Sequence, residues 1–68
     1  MNTKLLRSIM VLHDATDKSL AEELGISAKS VNNKINERDG AEFKQSEIAT
    51  IKKLFRLSDA EVTEIFFT

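Results

Sequence analysis

DKSLAEELGISAKSVNNKIN, residues 17–36, is the stretch that decides how this chain folds. Leu20 and Leu24 lie one helical turn apart and share a face, and Ala21 beside them is small enough to let a second helix approach closely. Gly25 supplies the left-handed backbone that ends a helix. Ile26 fills the space beneath the turn and Ser27 offers a hydroxyl to cap the next helix, while Val31 and Ile35 carry the buried face onward at a spacing of four. The spacing predicts two helices crossing over a tight turn, a helix-turn-helix. Such a corner has seven characteristic positions, of which Leu20, Ala21, Leu24, Gly25, Ile26 and Val31 are filled as expected; the seventh, ordinarily apolar, is Lys34.

The flanking segments read as helices by the same periodicity. Residues 3–13 place Leu5, Leu6, Ile9 and Leu12 on one stripe, with Met10 and Val11 off its centre. HDAT at 13–16 breaks that pattern, and Thr16 caps a second helix over 17–24, with Asp17 near its positive end. A third helix spans 28–36. The polar run 37–42, with Gly40 inside it, predicts a loop, after which Phe43 folds back as an apolar anchor. A fourth helix over 45–55 turns Ile48, Ile51 and Phe55 inward and gathers Lys52, Lys53 and Arg56 at its negative end, although Lys44 is a poor cap for its start. Ser58-Asp59-Ala60-Glu61 is a capping box that opens a fifth helix. Val62, Ile65 and Phe66 form its inner face, whereas Phe67 points about 140° away from Val62.

Composition limits what such a chain can be. Its 68 residues form a single domain, 1–68, that buries only about 60% of the surface its unfolded form exposes. Without cysteine there is no disulfide framework and no thiolate metal site, so a reducing cytoplasm fits, and no metal or cofactor is expected. No apolar run approaches the roughly 20 residues that span a bilayer, and no small-residue cleavage site comes after the first helix, so neither a membrane nor processing is expected. The net charge of −1 argues mildly against a simple DNA binder, because phosphate neutralisation drives most of such affinity. Its distribution matters more. Segments 1–13, 27–36 and 43–56 carry +2, +2 and +3, while 14–26, 37–42 and 57–68 carry −3, −2 and −3. The third helix is thus positive, with an acidic segment beside it.

On that third helix Lys29 and Asn33 lie opposite Val31 and Ile35, with Ser30, Asn32 and Asn36 flanking them. Asparagine bonds adenine through two hydrogen bonds and lysine reaches guanine acceptors or phosphate, which suits a major groove. LAEELGIS at 20–27 with SVNNKIN at 30–36 resembles the lambda-repressor and Cro class of helix-turn-helix domains. With SDAEVTEIFF at 58–67, the whole chain is similar to the small Cro-like proteins of temperate phages of Gram-positive bacteria. More narrowly, MNTKLLRSIMVLH at 1–13 and EIFF at 64–67 resemble modulator-of-repression proteins. The resemblance implies an all-α, compact five-helix lambda-repressor-like bundle with the DNA-reading pair in helices two and three. It also implies a regulator of the lysis and lysogeny switch that acts on operator DNA in the host cytoplasm with a CI-type repressor. The family's base-reading slots fall on Ala28, Lys29, Asn32 and Asn33, and its phosphate-anchoring slots on Asp17 and Asn36. Relatives commonly carry glutamine where this chain has Asp17, whose carboxylate repels a phosphate, and Ala28 donates no side-chain hydrogen bond.

These features allow three classes of function. The first is a transcription regulator reading DNA through helix three, with Lys18, Lys34 and Arg38 as further phosphate contacts, acting as a homodimer on half-sites about 34 Å apart or with the repressor. The second is an antirepressor that covers the repressor's DNA-binding domain, motivated by the acidic balance, by Asp17 and by the apolar end Ile65, Phe66 and Phe67. An enzyme is the third and least supported. His13 is the lone histidine and reads as a helix-end partner, no glycine-rich phosphate cradle is present, and Glu22 and Glu23 diverge by about 100° on a helix, so no small-molecule substrate is expected.

Overall fold

Small polar side chains standing just ahead of apolar runs set the boundaries of nearly every helix. The computed structural model describes residues 1–67; Thr68 lies outside the described residues. Five helices succeed one another: α1 (Thr3–Leu12), α2 (Asp17–Leu24), α3 (Ala28–Ile35), α4 (Gln45–Leu54) and α5 (Asp59–Phe66), with a 3₁₀ turn at Arg38–Gly40. No strand occurs among the described residues. Asn2 opens α1, its Oδ1 accepting from the Leu5 amide at 3.1 Å. Thr16 and Ser19 cap α2 reciprocally, at 3.1 and 2.8 Å, and the Ser27 hydroxyl accepts from the Ser30 amide at 3.1 Å to start α3. At α5, Ser58 and Glu61 form the expected box at 3.1 and 2.9 Å. Each such cap contributes about 1 kcal/mol. Lys44 offers no small polar cap to α4. Instead Glu47 reaches back and accepts from the Lys44 amide at 2.8 Å.

Between α2 and α3 the chain turns through three residues. Gly25 takes a φ of 70°, where a side chain would be strained, and lets the Ile26 amide donate to the Ala21 carbonyl at 3.1 Å. The ends of α1 and α4 turn in the same way with charged residues in place of glycine. Asp14 and Arg56 sit at φ 53° and 54°, and the amides of the next residues, Ala15 and Leu57, close onto Met10 and Lys52 at 2.7 and 2.9 Å. The segment 37–42, expected as a loop, holds the short 3₁₀ turn at Arg38–Gly40, with Glu37 and Asp39 also left-handed.

All five helices contribute to one core. Leu6, Met10, Leu20, Val31, Ile35, Ile51 and Ile65 are fully enclosed, with Phe43, Ile48, Phe55, Leu57 and Val62 around them. In it α2 packs on α3 and α4, and α5 packs on α1 and α4. The result measures 27 × 24 × 21 Å. The N-terminal segment is pinned on two sides: the Asn2 amide donates to the Ile65 carbonyl at 2.6 Å, and the Thr3 hydroxyl to the Ile35 carbonyl at 2.9 Å. No helix among the described residues is long and apolar enough to cross a membrane.

Three apolar assignments change. Leu12, expected on the inner stripe of α1, is 79% exposed, whereas Met10, expected off-centre, is buried. The inward stripe runs Leu6, Ile9 and Met10, and the exposed His13 that follows the helix lays its ring 5.1 Å from that of Phe55. This leaves Leu5 half-buried at its edge and turns Leu12 out. Ile65, expected with Phe66 and Phe67 as a partner contact, is completely enclosed, because α5 lies against α1 with the Ile65 carbonyl bonded to Asn2.

Candidate recognition surface

Because Val31 and Ile35 are drawn fully into the core, the opposite side of α3 faces solvent. Ala28, Lys29 and Asn36 are exposed there, and Ser30, Asn32 and Asn33 are half-buried. Asn36 closes the helix, donating from Nδ2 to the Asn32 carbonyl at 3.0 Å. Among the described residues, the side chains of Lys18, Lys29 and Arg38 form no ion pair. They retain their full charge for a ligand.

Asp17 is tied down from both sides. Arg7 of α1 donates from a guanidinium nitrogen to its Oδ1 at 2.5 Å, and Asn32 of α3 donates from Nδ2 to its Oδ2 at 3.0 Å. Partial burial works to raise the Asp17 pKa, but the hydrogen bonds from Arg7 and Asn32, with the charge of Arg7, outweigh it and hold the carboxyl below its usual range. The expectation that Asp17 contacts phosphate is therefore corrected: both oxygens are occupied and the group is an anion. Asn32 in turn has one of its two amide hydrogens committed inside the protein, leaving its oxygen and the other N–H for an outward contact.

Lys34 requires a second correction. Its ammonium lies 2.8 and 2.9 Å from the two oxygens of Glu47, with the lysine side chain only 15% exposed, so it does not reach phosphate. Burial works to raise the Glu47 pKa as well. The hydrogen bonds from Lys34 and the Lys44 amide, with the nearby positive charges, prevail and lower it. The pair explains the polar residue at a position of the corner that is ordinarily apolar: the lysine stem spans the place of an aliphatic side chain and its head meets an anion supplied by α4.

Of the apolar C-terminal group, Phe66 is half-buried and meets Phe43 edge-on with centroids 5.9 Å apart, while Phe67 is 56% exposed. These rings and Ile48 line a groove of about 270 Å³ beside Met1 and Glu42. Among the described residues no three histidine or carboxylate side chains converge as a metal site would require. Sequence reasoning passes over Arg7 and Glu47. Glu47 has a readable signal, since a carboxylate three residues after a poor cap can fill the acidic half of a capping box; Arg7 has none, because nothing local links it to a residue ten positions on.

No family model matches the chain, and no curated protein or solved structure is found to be similar to it.

Proposed function

We propose that this chain is a non-enzymatic transcription regulator of a phage lysis and lysogeny switch, in keeping with its resemblance to small Cro-like proteins. It engages operator DNA through α3 together with a CI-type repressor in the host cytoplasm. One observation carries the reading: the face of α3 opposite the core presents Lys29, Ser30 and Asn33 with no internal ion pair, directly after a three-residue turn from α2. Binding by the chain alone is weak. With Lys34 and Asp17 committed internally, Lys18, Lys29 and Arg38 are left of the expected cations near this face, fewer than the roughly 6–10 phosphate contacts that give strongly salt-dependent affinity. Electrophoretic shifts on the switch-region DNA, with and without repressor, test this. Wild type retards the DNA more strongly with repressor present, and the Lys29→Ala, Asn33→Ala double variant loses the effect; identical behaviour of the two proteins in both conditions refutes it.

A second reading is favoured by the exposed Phe67 beside its groove. There the chain is an antirepressor that binds the repressor's DNA-binding domain without touching DNA. Co-purification with repressor that is lost on Phe67→Ser, at unchanged helicity, supports it; repressor capture unaffected by that change removes its motive.

A further inference from the structure

We infer that Arg7 is the phosphate-contacting group beside α3 and that Asp17 is a positioning residue, holding the Arg7 guanidinium and the Asn32 amide in fixed relation. The inference rests on the reading that α3 meets duplex DNA.

An ionised carboxylate only accepts, so the group that faces Asp17 Oδ2 from Asn32 has to be the amide nitrogen. That fixes the orientation of the amide, leaving its oxygen as an acceptor and one N–H to face outward. The arrangement suits the exocyclic amino groups of cytosine or adenine. Arg7 carries five N–H donors in a planar fork, and one of its terminal nitrogens is bonded to Asp17. Its side chain is 38% exposed, against 24% for Asp17, so donors remain on the solvent side. A guanidinium can bridge a carboxylate and a phosphate at once, and one already held in place loses less conformational freedom on doing so than a free lysine. Lys18 and Lys29 are long and unanchored, and Lys34 is turned inward. Arg7 is therefore the fixed cation next to the reading helix, reached through α2 from α1.

Titrating a fluorescein-labelled mixed-sequence duplex by anisotropy over about 50–200 mM salt, with and without repressor, tests the inference, with circular dichroism to check folding. Arg7→Gln is expected to weaken binding severalfold and to reduce the slope of log affinity against log salt by about 0.9, while Arg7→Lys keeps the slope. Asp17→Asn is the sharper test. If the carboxylate acted only through its charge, removing it would tighten binding to an anion; as a positioning residue, its loss weakens binding although the protein becomes less acidic. An unchanged slope in Arg7→Gln, or tighter binding by Asp17→Asn, overturns the inference. If Lys29→Ala weakens binding and Arg7→Gln does not, only the role of Arg7 falls. If folded wild type binds no duplex in any of these conditions, the DNA reading falls and this inference with it.

Discussion

Two carboxylates brace α3, one from each side, and they do so by different physics. Glu47, from α4, is nearly enclosed and neutralises a lysine that stands where an aliphatic side chain would serve. Asp17, from α2, is half-exposed and joins an arginine with donors to spare to an asparagine on the outward side of the helix. The first pair sits between helices, with both carboxylate oxygens already taken by the lysine ammonium and one of them also by the Lys44 amide. The second sits at the rim, where the same bonds that hold the helix also shape what it shows to solvent. Residues alike in chemistry thus take different roles according to which flank of α3 they occupy.

The largest effect expected from breaking this contrast is Glu47→Ala. It leaves the Lys34 ammonium without its anion and the Lys44 amide without its acceptor, at a cost of about 3 kcal/mol in urea denaturation. A loss under about 1 kcal/mol would mean that Lys34 swings into water at little cost. Replacing both partners, Lys34→Met with Glu47→Gln, is expected to recover part of that loss, since no charge is left buried without its counter-ion and glutamine still accepts from Lys44, while its amide N–H groups gain no partner from methionine. Asp17→Asn comes next, at about 1 kcal/mol, because the broken ion pair is open to solvent on one side.

Acid sharpens the same comparison. Both carboxyls have folded pKa values below their unfolded values, near ~4, so each contributes its full stabilisation above that range and loses it as pH falls through the folded value. Stability measured from neutral pH downward is expected to fall below about pH 5, more steeply in wild type than in Asp17→Asn or Glu47→Gln. Equal slopes in all three proteins would show that neither group is linked to folding. Smallest of all is Phe67→Ser, expected within about 0.5 kcal/mol of wild type because the ring lies mostly outside the core. A larger loss would show that the ring belongs to the fold and not to a partner's surface.

Much of the architecture is legible in the sequence because its signals are local. Gly25, the caps at Thr16, Ser27 and Ser58, and the paired apolar residues of α2 and α3 each act within one helical turn, and the observed boundaries match them closely. In α1 locality fails. The stripe Leu5, Leu6, Ile9 and Leu12 and the set Leu6, Ile9 and Met10 both keep helical spacing, and only tertiary packing, in which α5 lies against α1, selects the second. The candidate surface is less readable still. Which polar residues of α3 face out comes from periodicity, but whether they are free depends on Arg7, Asp17 and Glu47, which arrive from other helices. At the chain's end periodicity does better, turning Ile65 inward and Phe67 away as observed, and it is only the grouping of Ile65 with a partner surface that fails.

The corners after α1, α3 and α4 hold Asp14, Glu37 and Arg56 in a backbone geometry that disfavours any residue with a Cβ. Those three positions are thus an untapped reserve of thermal resistance. Arg56→Gly or Asp14→Gly is expected to raise the midpoint of heat denaturation, corresponding to a gain of about 0.5–1 kcal/mol, because relief of the left-handed strain exceeds the extra chain entropy that glycine loses on folding. A hardier version of this small protein, suited to long titrations, is within reach of one or two codons.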